Sequence, residues 1–196
     1  MASDLIETLI DAESWDLAET AIDEELVNDP DDHWLWCRLS AVRYEKRNYE
    51  DALKCAEKAL SIVPDCPLGL WDQAGALDML GRWDQARRIY AQLLERGTRQ
   101  LSDPDEDADE CWEGADWTKG LLADSVFRAA GCLEKTGHDR RAADLYSTFL
   151  TLLDHRVPSL YSRKQTLARL KELSTGRDRV FETLERASKS LEEVGS

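Results

Sequence analysis

Proline is scarce, with five in 196 residues, and the ten glycines are thinly scattered. With so few breakers, helix formers dominate. A 33% share of charged residues beside 42% hydrophobic ones fits a folded, charge-rich helical chain. Long apolar runs are missing too: no stretch reaches the about 18 residues that cross a bilayer, so no span is expected. The opening run "MASDLIETLIDAESWD" has no basic start and carries acids inside its apolar stretch, so it reads as neither signal peptide nor membrane anchor. Cysteine is present without a pattern. Cys37, Cys55, Cys66, Cys111 and Cys132 are odd in number and form no C-x-x-C. That argues against a disulfide framework and for a reducing cytoplasm.

Positive charge is in deficit, 25 Lys and Arg against 40 Asp and Glu, for a net charge of −15. The deficit lies in residues 1–121, which hold 29 acids and 12 bases, whereas residues 122–196 hold 11 and 13. Such an acidic body repels phosphate backbones and anionic lipid, so neither nucleic acid nor membrane is an expected partner. A basic segment of another protein would be steered toward it.

Catalytic patterns are also lacking. His33, His138 and His155 are the only histidines, each in or beside a predicted turn, and there is no H-E-x-x-H, Walker loop, G-x-G-x-x-G or G-x-S-x-G. The cysteines fall in predicted helices or beside Pro67 and read as small apolar fillers. The expectation is a protein that is not an enzyme, with no metal site and no cofactor. In the acidic run "DPDEDADECWEG", Asp103, Asp105 and Asp107 have the alternate spacing of a calcium loop. Ala108, however, stands where the sharp turn requires glycine, and Gly114 where a bidentate glutamate belongs, so no calcium site is expected.

What the sequence does have is repetition. "WDLAETAIDEELVNDPD" from Trp15, "YEDALKCAEKALSIVPD" from Tyr49 and "WDQARRIYAQLLERGTR" from Trp83 recur at a spacing of 34 residues. An aromatic opens each, an acid follows (Asp16, Glu50, Asp84), and alanine comes three residues after the aromatic (Ala18, Ala52, Ala86). A second helical segment precedes each of the later two. Asp31 or Asp32 can cap the first of these, Pro67 suits the first turn of the other, and Gly81 can end it. A fixed period of this size marks a solenoid of helical hairpins, each burying its apolar face only against its neighbours. A fourth unit, with Val126, Ala130, Leu133, Gly137, Ala142, Tyr146 and Phe149, comes 22 residues late, so an insertion lies near residues 97–120.

With Trp36, Leu39, Ser40, Ala52, Ala59 and Pro64 in residues 33–66, and Leu70, Ala74, Leu77, Gly81, Ala86 and Tyr90 in residues 67–100, the chain resembles the tetratricopeptide repeat family. It departs from that pattern at Arg43, Ala56 and Thr98. The resemblance implies an all-α fold, a right-handed α-α superhelix of about four hairpins over residues 1–32, 33–66, 67–100 and 123–156. An acidic, tryptophan-containing insertion would cover 98–121. Residues 157–196 would form two C-terminal capping helices, one opened by Pro158 with Leu160, Leu167, Leu170 and Leu173, the other carrying Phe181, Leu184, Leu191 and Val194. Ala52, Ala59, Ala74 and Ala86 would let helices cross closely, and Tyr49, Trp83, Tyr90 and Tyr146 would fill the space between hairpins.

In this family the first helix of each hairpin lines a concave groove that takes an extended or helical peptide. By phase, the groove residues are Trp34, Cys37, Ala41 and Tyr44, then Leu68, Trp71, Gly75 and Asp78, then Asp124, Phe127, Gly131 and Glu134, with Arg128 beside them. Their spacing puts each set on one helical face. Family members that bind the acidic tails of chaperones use Lys, Asn and Arg here. The matching positions carry Ser3, Glu7, Asp72, Asp124 and Arg128, of which Arg128 alone fits. The expected function is therefore non-catalytic binding of another protein, adaptor or chaperone-like, through an apolar or basic segment. The alternative is a structural scaffold whose groove is filled by its own insertion. Trp112 and Trp117 would then lie beside Trp71 and Phe127, since a merely solvated acidic loop is poor in aromatics.

Overall fold

The computed structural model describes residues 2–102, 111 and 114–176, and every regular element among them is a helix. Helix α1 (Ala2–Asp11) pairs with α2 (Trp15–Asn28), α3 (His33–Glu45) with α4 (Tyr49–Ile62), α5 (Pro67–Met79) with α6 (Trp83–Ser102), and α7 (Ala115–Lys135) with α8 (Asp139–Asp154). A further helix, α9, covers residues 163–176. From α1 to α8 each helix packs on the next along the chain, giving the all-α hairpin solenoid that the periodicity predicts.

Local chemistry sets the ends. The Asp32 carboxylate caps α3, accepting from the N–H groups of Trp34 (2.8 Å) and Leu35 (3.2 Å). Pro67 occupies the first turn of α5, where its missing N–H costs nothing. Inside the hairpins the turn is made by one residue with positive φ: Glu13 (52°), Arg47 (61°), Gly81 (75°) and Gly137 (76°). The residue after each donates its N–H to a carbonyl five positions back, Ser14 to Leu9, Asn48 to Arg43, Arg82 to Leu77 and His138 to Leu133. That is the Schellman closure, and its first three instances are spaced 34 residues apart.

Packing repeats with the same rhythm. Ala18, Ala52, Ala86 and Ala142 are each 0% exposed, which fits the close crossing expected of alanine. Within the second hairpin the crossing is so tight that the Ser40 hydroxyl donates to the carbonyl of Ala52 at 2.8 Å. Ile22, Ala56, Tyr90 and Tyr146 stand one turn further on and are also buried.

Two elements differ from the expectation. First, α6 and α7 have 20 and 21 residues, against 13 to 14 in α3, α4 and α5, so much of the extra length prolongs helices rather than forming a loop. Helix covers residues 98–102 and 115–121. The prolonged helices approach so closely at Gly97 that a Cβ there would sit 2.5 Å from Leu122 Cδ2. Second, the chain does not become helical at Pro158. Residues 157–162 run without regular structure until a capping box starts α9, with Ser162 N–H donating to Gln165 Oε1 (2.7 Å) and Gln165 N–H to Ser162 Oγ (3.3 Å). Leu170 and Leu173 of α9 pack on Ala130, Leu133 and Tyr146, whereas Leu160 and Leu167 are exposed. Phe181, Leu184, Leu191 and Val194 of the expected second capping helix lie outside the described residues. No described helix is long and apolar enough to cross a membrane.

Candidate functional site

Helices α3, α5 and α7, the first of the last three hairpins, line one face of the solenoid together with residues 157–162. Three hollows adjoin there. The first, about 270 Å³, lies among Ala41, Tyr44, Trp71, Asp72, Gly75 and Arg128, with Leu160 and Tyr161 as its lip. The second is larger, about 500 Å³, and mostly apolar: Leu68, Trp71, Trp117, Leu121, Pro158 and Leu160, with Asp116 and Asp124 at its rim. The third, about 400 Å³, lies between Asp78, Phe127, Gly131, Glu134 and the polar side chains of α9.

Residues 157–162 divide this face because Asp124 holds them. Its carboxylate accepts from the Ser159 hydroxyl and from the Leu160 N–H (3.1 Å), although burial pushes the Asp124 carboxyl above the ordinary aspartate range. Tyr161 is thereby laid flat on Phe127, ring centroids 4.0 Å apart and planes 13° from parallel. The space beside Phe127, expected to receive an indole of the insertion, is thus taken by Tyr161. Trp117, in the first turn of α7, shares the second hollow with Trp71, while Trp112 lies outside the described residues.

The other predicted groove residues separate into two groups. Ala41, Tyr44, Leu68, Trp71, Gly75, Asp78, Phe127, Arg128 and Gly131 line the hollows. Trp34 instead packs with the core of the first two hairpins, with the Arg38 guanidinium 5.2 Å from its ring centroid. Cys37 is buried at the inter-repeat edge, against Cys66. Sequence reasoning missed Leu121, Pro158, Leu160 and Tyr161. The first belongs to the helical extension and the rest to a segment outside the repeats, so phase gave no signal for them.

A buried carboxylate on this face is paired internally. Asp78, whose side chain is 7% exposed, is neutralised by Arg128 (3.1 Å) and Lys135 (2.7 Å), as a buried carboxylate requires. Arg128 also donates to the Tyr161 hydroxyl at 3.3 Å and lies 6.0 Å from the centre of the Tyr90 ring. Glu7, at another position of the chaperone-tail clamp, is paired with Arg38 at 2.9 Å. Burial in the wall of the first hollow pushes the Asp72 carboxyl up to about 8, against the pull of Arg38. At the inter-repeat edge, hydrogen bonds from Cys37 and from the N–H groups of Gly69 and Leu68 bring the Cys66 thiol down to about 5, while Cys37 itself moves up.

Residues 33–66, which form α3, α4 and the turn after them, match the tetratricopeptide repeat family model. That stretch is a tetratricopeptide-type hairpin. Over 158 residues, 78% of its length, the chain is also 28% identical to Protein STIP1 homolog of Dictyostelium discoideum, and it spans 28% of that protein's length. The matched hairpin is similar to a family of protein-interaction repeats. The walls of this face combine apolar surfaces and carboxylates around an internally paired guanidinium.

Proposed function

We propose that the chain is a non-catalytic adaptor or chaperone-like module. In this reading it binds an extended segment of another protein, an apolar anchor flanked by basic residues, in the hollow between α5 and α7. The observation that carries this is the apolar hollow itself, about 500 Å³ between Trp71, Trp117, Leu121, Pro158 and Leu160. A cavity of that size takes one large aliphatic or aromatic side chain. Burying such a side chain contributes about 1.5–3 kcal/mol. A micromolar complex needs about 8, so the remainder must come from the flanks. Asp116 at the rim, Glu45 at the neighbouring hollow and the net charge of −15 favour basic flanks. The same charges disfavour nucleic acid and anionic membranes.

The test is calorimetry of the full chain with synthetic peptides that carry one leucine or tryptophan anchor flanked by either lysines or glutamates. The lysine-flanked peptides should bind, more weakly as salt rises, and Trp71→Ala should abolish binding with the helical content intact. Equal binding of both peptide sets, or full affinity in Trp71→Ala, would remove the basis for this assignment.

A further inference from the structure

Three residues at or beside successive connections between hairpins bring metal-binding side chains to one point. His33 begins α3 after the first connection, Cys66 sits immediately before α5 at the end of the second, and Cys111 lies in the third, between α6 and α7. The donor atoms of these three residues lie within 4.8 Å of one another, and Cys111 Sγ is 3.3 Å from His33 Nε2. Cys37 is one turn along α3 from His33, on the same helical face. Its thiol is buried and hydrogen-bonded with that of Cys66.

We propose that His33, Cys66 and Cys111, with Cys37 as the fourth ligand, form a structural zinc site that joins the edges of three consecutive hairpins. Sequence reading gave no hint of it, because the four residues obey no C-x-x-C spacing and only the hairpin stacking brings them together. The donor set of three sulfurs and one imidazole is that of closed tetrahedral zinc sites. Metal–ligand bonds of about 2.0–2.3 Å at tetrahedral angles place donors roughly 3.5–3.8 Å apart, a spacing that His33, Cys66 and Cys111 reach by small side-chain movements. The surroundings of Cys66 fit a thiolate ligand independently. Its sulfur accepts the backbone N–H groups of Leu68 and Gly69 at the start of α5, where the helix end favours negative charge. Pro67, which follows it, offers no competing N–H. Loading the site releases the thiol protons and changes no oxidation state.

The experiment uses the full chain, purified under reducing conditions without chelator from zinc-supplemented cells, with metal measured by mass spectrometry. Stoichiometric zinc is expected. Replacement by cobalt(II) should give thiolate charge-transfer bands and the intense d–d absorption of a tetrahedral site. Cys111→Ser and Cys66→Ser should each lose the metal, and removing zinc from the unaltered chain should lower its melting temperature. Cys55→Ser, at a cysteine outside the cluster, should keep it. Should Cys66→Ser fail to fold, Cys111→Ser, checked by circular dichroism, still decides. Purified chain without zinc whose reduced, stripped form takes up neither zinc nor cobalt would overturn the proposal. So would a Cys66–Cys111 disulfide in place of metal, or unchanged metal content in Cys111→Ser.

Discussion

Glu13, Arg47 and Gly81 do the same job at three points of the chain, each turning one helix back into the next with a positive φ. Gly81 was readable as a turn former. Glu13 and Arg47 were not, because the demand for a left-handed residue comes from the closing hydrogen bonds, and those residues meet it at an energetic cost that their hairpins offset. The left-handed region costs an L-residue about 1–2 kcal/mol, and a β-branched side chain is the least tolerated there. Gly81→Val is therefore expected to lower stability by at least about 1 kcal/mol. Arg47→Gly should not destabilise at all. Urea unfolding of the two variants checks both signs at once, and equal losses would mean that turn geometry is not what selects these residues. Gly75, placed on the groove by the repeat phase, shows the limit of that reading. It does face the groove, but the space above is shared by Tyr44 (3.5 Å from where its Cβ would be) and Arg128.

Between elements, α2 and α3 are tied by a small ionic network. Glu19 accepts from Lys46 (2.6 Å) and from Arg43 (3.1 Å), and Lys46 reaches Asp16 as well (2.6 Å). Lys46, then Arg43, hold the Glu19 carboxyl below the usual glutamate range in spite of partial burial. A depressed carboxyl stabilises the fold fully above its unfolded pKa, about 4.3, and loses that contribution as pH falls through the folded value. Glu19→Gln should thus cost about 0.5–1 kcal/mol at pH 7. The gap between variant and parent should close in the acid range, as followed by thermal melts from pH 7 down to about 3. A gap that widened on acidification would refute the assignment. The helices themselves were largely legible, since period and caps such as Asp32 and Pro67 are local signals. The length of α6 and α7 was not. An acidic, glycine-containing stretch reads as loop, and the close packing of Gly97 on Leu122 that favours helix there is a tertiary effect.

Across the whole molecule, the class of protein was legible because repetition is a property of the entire chain, whereas the concave face was legible only by half. Trp71 and Phe127 follow from the repeat phase. Tyr161 does not, yet it decides how much of Phe127 is open, through a stack at 4.0 Å and a hydrogen bond from Arg128. Tyr161→Ala should uncover this face and raise the fluorescence of a hydrophobic dye bound to the folded chain. Unaltered dye binding would mean that residues 157–162 close nothing. The same segment has a mechanical consequence. A hairpin solenoid stretches like a spring because each unit holds only its neighbours. Here Leu160 and Tyr161, after the fourth hairpin, share a hollow with Ala41 and Tyr44 of the second. The last three hairpins and this segment thus meet around one hollow on the inside of the coil, and the first hairpin takes no part in it. Pulled from its two ends in an optical trap, the chain should shed α1 and α2 as a separate early event, then hold as one body until a higher force breaks the rest.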